Sequence, residues 1–80
     1  MNNNLEKYNN VFIDLFDVRE SELNTLKLKE SVQWDSVGHI GLISTLEEVF
    51  DVSLDADDMF ALTSYPEGIQ ILKKYQIDFE

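Results

Sequence analysis

The chain has 80 residues, sixteen acidic side chains against six basic ones, a formal net charge of −10 and no cysteine. A chain this short builds one domain (1–80), and a 44% share of hydrophobic residues supplies one modest core. The charge repels phosphate backbones and anionic membrane surfaces, which argues against nucleic-acid binding and favours basic protein partners. The plainer reading of the same acidity is solubility. No run of about 18 apolar residues occurs, so membrane insertion is not expected. The start, Met1 to Glu6, lacks the basic and apolar regions of a secretory signal. Without cysteine there is no disulfide framework, which fits a reducing cytosol, so a cytoplasmic location is expected. Any thiol chemistry must come from something added.

Four helical segments are predicted. In the first, roughly Asn4 to Asp17, Leu5, Tyr8, Phe12, Leu15 and Phe16 recur at steps of three and four, the spacing of an amphipathic helix. Asn3 or Asn4 is placed to cap it. From Val18 to Asp35 the period is lost. Leu23, Leu26, Leu28 and Val32 are expected to pin this long loop to the core. A loop of that length is uncommon in a small domain unless it is functional or contains a short turn of its own.

The second helix is predicted from about Ser36 to Phe50, and Asp51-Val52-Ser53 breaks it. Asp55 then opens a short third helix, with Asp58 placed for a capping box and Leu54 and Met59 for a hydrophobic staple. Before the fourth helix, Ser64 caps, Glu67 reaches back, and Pro66 sits in the first turn, where its missing N–H is harmless. Ile69, Leu72 and Tyr75 give that helix an inward face, and Lys73 and Lys74 suit its C-terminal dipole. No segment alternates convincingly as a strand. The expected fold is all-α, a small helical bundle.

The second helix is the informative one. At about 100° per residue, Leu42, Ile43, Leu46, Val49 and Phe50 fall within an arc about 120° wide, the predicted core face. Val37 and Ile40 fall outside it, on the side of Ser36, Ser44, Glu47, Glu48 and Asp51. Apolar residues beside an exposed serine, with acids further along, form a candidate docking surface; scattered surface apolar residues are also ordinary. Three acids near a helix C-terminus oppose the dipole at about 0.3–1 kcal/mol each, so they suit a basic partner better than helix stability. A solvated acidic face is the simpler alternative. His39 falls on the inward arc and is expected to be a partly buried, hydrogen-bonded residue rather than a catalyst. Trp34 is expected to cover the loop–helix junction. A serine at a helix start is ordinarily a cap. Asp35-Ser36-Val37 raises a second reading, covalent attachment.

These residues resemble the acyl carrier proteins, in which an Asp-Ser-Leu motif opens the second helix and the serine receives 4′-phosphopantetheine from coenzyme A. Here the motif reads Asp35-Ser36-Val37. The likeness extends over nearly the whole chain, through Leu46-Glu47-Glu48-Val49-Phe50-Asp51, then Asp55 to Asp58, then Leu62-Thr63-Ser64. It implies a four-helix acyl-carrier-like bundle with a long loop after the first helix and a short third helix. It implies Ser36 as the attachment site with Asp35 in its motif, and Val37, Ile40, Glu47, Glu48, Asp51 and Leu54 as partner contacts. The implied partners are a phosphopantetheinyl transferase and acyl-loading and acyl-processing enzymes with basic docking patches, met by a monomer. Gly38, Gly41 and Ser44 depart from the fatty-acid type, which often has acidic residues or, at the last place, methionine. Trp34 to His39 is worded like free-standing carriers of specialised biosynthetic clusters.

Other classes are weaker. Asp51, Ser53, Asp55 and Asp57 alternate like a calcium loop, but Ala56 stands where the loop needs glycine and Leu62 where it needs a bidentate acid. No nucleophile–base pair, metal-ligand cluster or glycine-rich phosphate loop points to an enzyme. A peptidyl carrier with the same arm and an unmodified interaction domain stay open as alternatives.

Overall fold

Helix α1 spans Asn4–Phe16 in the computed structural model, which describes residues 3–28, 30–31 and 34–79. Its buried side chains are Tyr8, Val11, Phe12 and Phe16. Rings repeating every fourth residue carry the most area to bury, so they set the rotation of the helix. Leu5 and Leu15, predicted on the inner face, are left at its edges, 41% and 40% exposed. Asn3 takes the cap position but makes no side-chain cap bond; the Asn4 amide instead donates to the Asp78 carbonyl at 2.8 Å. The helix ends at Asp17, whose backbone is left-handed (φ 55°).

The long connection contains a turn of its own, a 3-10 helix at Glu20–Thr25, where the Arg19 N–H donates to Glu22 at 2.9 Å. Leu23 and Leu26 are buried and Leu28 is half-buried, so these three anchor the connection; Val32 lies outside the described residues. The Leu28 N–H donates to the Thr63 carbonyl at 2.9 Å, and Lys27 bridges to Ser64, tying the connection to the start of the last helix.

Helix α2 spans Ser36–Phe50, the predicted bounds. Leu42, Ile43 and Leu46 are buried and Phe50 is half-buried. Val49, expected beside them, is 39% exposed. With Leu15, Val11 and Thr45 it lines an open groove of about 460 Å³ between α1 and α2. The predicted core arc was too wide because the two helices do not close over its edge.

Helices α3, Ala56–Ala61, and α4, Tyr65–Lys74, complete the chain. The Glu67 N–H donates to Ser64 at 3.4 Å, with Pro66 in the first turn. The buried face of α4 is Tyr65, Gly68, Ile71 and Leu72, while Ile69 and Tyr75 are half-buried. Gly68 is required by a close approach. The buried Tyr8 hydroxyl donates to the Tyr65 carbonyl at 2.6 Å, and a Cβ on Gly68 would lie 2.1 Å from its oxygen. Gly68→Ala is therefore expected to lower stability by about 2–3 kcal/mol through overpacking and loss of this buried bond. Urea unfolding measures it, and a loss below about 0.5 kcal/mol, the range of neutral surface changes, would contradict the tight packing.

The capping box predicted for α3 does not form. Asp55 makes no side-chain cap bond, and its N–H donates to the Tyr75 hydroxyl at 2.9 Å. Asp58 turns to α4 instead, accepting from Lys74 Nζ at 2.6 Å and from the Tyr75 hydroxyl at 2.5 Å. A cationic donor makes the stronger bond to a carboxylate, so α4 wins it over the local backbone. The Lys74 bond first, then the Tyr75 bond, hold the Asp58 carboxyl below the usual aspartate range. The folded state thus binds this proton less readily than the unfolded chain. The stabilisation is full above the unfolded value, roughly pH 4, and is lost as pH falls through the lower folded value. Asp58→Asn is expected to flatten that acid-side loss in stability measured against pH; an unchanged profile would contradict it.

Among the described residues the secondary structure is helical, without strands. No helix there is long and apolar enough to cross a membrane.

Candidate functional site

The start of α2 is held from both sides. Before it, the Trp34 ring is fully buried in an aromatic cluster, 5.5 Å from the rings of both Phe12 and Phe16 and stacked on the latter. Trp34 thus has the structural role expected of it, and reaches further than the junction it was expected to cover, as a central core side chain. After it, Asp35 adopts an extended backbone, and its carboxylate accepts the Gly38 N–H at 2.8 Å. Its carbonyl accepts the His39 N–H at 2.8 Å. Asp35 is thus the cap, the ordinary work of an acid at this position.

Ser36 is therefore not needed as a cap. It is the first helical residue, is exposed, and its hydroxyl has no hydrogen-bond partner among the described residues. Val37 and Ile40 beside it are 78% and 69% exposed. Ile40 lies one turn beyond Ser36 on the same face of the helix.

His39 is half-buried and both its ring nitrogens are engaged. Trp34 Nε1 donates to Nδ1 at 3.0 Å, and Nε2 lies 2.7 Å from the Met59 carbonyl. An indole N–H only donates, so Nδ1 accepts and Nε2–H donates to Met59. The ring is a structural bridge from the α2 start to α3, with no nitrogen left over to act as a base for Ser36.

The acidic residues divide. Glu48 and Asp51 are exposed. Glu47 is half-buried, and its carboxylate accepts the Leu54 N–H at 2.9 Å, tying down the chain after α2. Asp51 ends the helix in a left-handed conformation (φ 53°), with its N–H on the Glu47 carbonyl. Leu54, expected at the contact surface, is instead a core residue, 5% exposed. Glu47 and Asp51 thus have local structural work that the dipole reasoning did not anticipate.

Sequence reasoning missed Phe60. It is 78% exposed on α3, and with Ile40, Ile43, Ser44 and Met59 it lines a largely apolar groove of about 320 Å³ between α2 and α3. The sequence carried no clear signal for it: the helix is only six residues long, and Asp58, which in the structure faces inward opposite Phe60, is read from sequence as a capping residue. Ser36, Val37 and Ile40 at the start of α2 and Phe60 on α3 thus give one exposed hydroxyl, three exposed apolar side chains and a groove whose wall includes Ile40.

No family model matches the chain, and neither a curated protein nor a solved structure matches it. The functional reading rests on the residues and their geometry.

Proposed function

We propose that the chain is an acyl carrier protein in which the Ser36 hydroxyl bears 4′-phosphopantetheine. The observation that carries this reading is the division of labour at the start of α2. Asp35 caps the helix, which leaves Ser36 exposed and its hydroxyl without a partner among the described residues. Attachment there suits the charge as well. A phosphodiester at a helix N-terminus meets first-turn N–H groups and the positive end of the dipole.

No base from this chain is needed, because loading takes place on a separate transferase. There the Ser36 oxygen attacks the β-phosphorus of coenzyme A and a new P–O bond forms. The pyrophosphate bond breaks, adenosine 3′,5′-bisphosphate leaves, and the serine proton passes to the transferase. When bound, the arm supplies a thiol that carries acyl groups as thioesters. The chain's own residues bind and orient. Val37, Ile40 and Phe60 form the apolar part of the docking surface, and Glu48 and Asp51 add charge for basic partners. The acyl-carrier-like bundle, the cytoplasmic location and the monomeric state belong to this proposal.

Incubation with coenzyme A and a promiscuous phosphopantetheinyl transferase is expected to add one arm, read by intact mass. No mass gain with a transferase that loads a control carrier would favour the alternative of an unmodified interaction domain.

A further inference from the structure

Helix α3 is fastened to the bundle largely through polar contacts. It is six residues long, and its one buried side chain is a carboxylate, Asp58. Ala56, Asp57, Phe60 and Ala61 are exposed and Met59 is half-buried. Its backbone makes few close approaches to any other helix, whereas α1 lies along α2. Hydrophobic burial within the helix is thus limited to Met59, which packs half-buried against the core. Isolated helices this short are also unstable in water, so α3 depends on its attachments.

Those attachments are polar and come from two sides. From α2, His39 donates to the Met59 carbonyl at 2.7 Å, and Trp34 orients its ring from the α2 start. From the end of α4, Lys74 and Tyr75 bond the Asp58 carboxylate at 2.6 and 2.5 Å, and the Tyr75 hydroxyl also accepts the Asp55 N–H at 2.9 Å. Immediately outside the helix, Leu54 and Leu62 are buried at 5% and 0% exposure and act as apolar pins. The segment between two such pins is free to move as a unit once its polar tethers are released. The same segment supplies Met59 and Phe60 to one wall of the groove, with Ile43 opposite on α2.

We infer that α3 is a hinged wall, held closed by the His39 tether on one side and the Asp58–Lys74–Tyr75 cluster on the other, and that releasing the cluster opens the groove between α2 and α3. The device is a property of the unmodified fold and does not rest on the carrier reading. It also gives His39 a positioning role, since its ring joins the turn that presents Ser36 to the movable wall.

The test uses the full, unmodified chain and two variants that leave the apolar core intact, Tyr75→Phe and Lys74→Met. Native-state amide hydrogen exchange should speed up by about tenfold in α3 for Tyr75→Phe, which loses two bonds, and by a smaller factor for Lys74→Met. Exchange in α1 should stay at the wild-type rate. Binding of Nile red, a neutral apolar dye, should rise in step with α3 exchange. Unchanged α3 exchange in both variants would overturn the proposal. So would an equal acceleration in every helix, which would mean that α3 opens only by global unfolding. Faster α3 exchange with unchanged dye binding would overturn the opening of the groove.

Discussion

Ser36→Ala is expected to abolish phosphopantetheine addition while leaving the fold intact. The first half follows from the proposed chemistry, since no other hydroxyl occupies the motif position. The second half follows from the structure. Asp35 supplies the cap bond to Gly38 at 2.8 Å, so removing an exposed hydroxyl with no partner among the described residues should shift stability by no more than about 0.5 kcal/mol. Asp35→Ala should behave in the opposite sense and cost about 1 kcal/mol of stability by removing the cap. Two assays separate the pair: intact mass after transferase treatment and urea unfolding. Arm addition to the Ser36→Ala variant would contradict the attachment site. A stability loss above about 1 kcal/mol in that variant would contradict the assignment of capping to Asp35 alone.

Trp34→Ala carries the largest expected loss of stability. The ring is fully buried, packs against Phe12 and Phe16, stacks on His39 at a centroid separation of 6.0 Å, and donates to His39 Nδ1. Truncating a buried tryptophan costs about 3–5 kcal/mol through lost burial and the cavity left behind. The stranded His39 nitrogen adds about 1 kcal/mol. Domains of this length have roughly 4–12 kcal/mol in total, so the variant should be mostly or wholly unfolded at low urea. Trp34→Phe retains much of the packing and should cost clearly less. A loss under about 1 kcal/mol for Trp34→Ala would show that the ring is not the centre of the core.

The helices were legible where apolar spacing and punctuation agreed. Helix α2 occupies the predicted residues and Asp51 stops it as expected, but the cap bond is made by Asp35 and not by the serine at the helix start. Spacing was weaker at deciding which residues at the edge of a stripe are covered. Leu5, Leu15 and Val49 have the right period, yet burial depends on whether a neighbouring element closes over them, and at Leu15 and Val49 the helices α1 and α2 leave a groove. The capping box at Asp55 and Asp58 failed for a related reason. Local pairing rules do not register a lysine and a tyrosine that arrive from sixteen and seventeen residues away.

The site was read in the same uneven way. The exposure of Ser36, Val37 and Ile40 follows from helical geometry alone, and His39 met its expected place as a bonded, half-buried side chain. Leu54 was carried over by resemblance and turned out to be a core pin. Phe60 was passed over because a six-residue helix gives too little sequence to define a face. Trp34 was underestimated because its neighbours in space, Phe12 and Phe16, belong to a helix that the long connection separates from it.

The most direct measurement is the intact mass of the protein from its native host, followed by fragmentation of the peptide that contains Ser36. The expected result is one phosphopantetheine arm on Ser36, with or without an acyl group on its thiol. An unmodified mass under conditions where other carriers of the host are loaded, or an arm on any other residue, would contradict the carrier assignment.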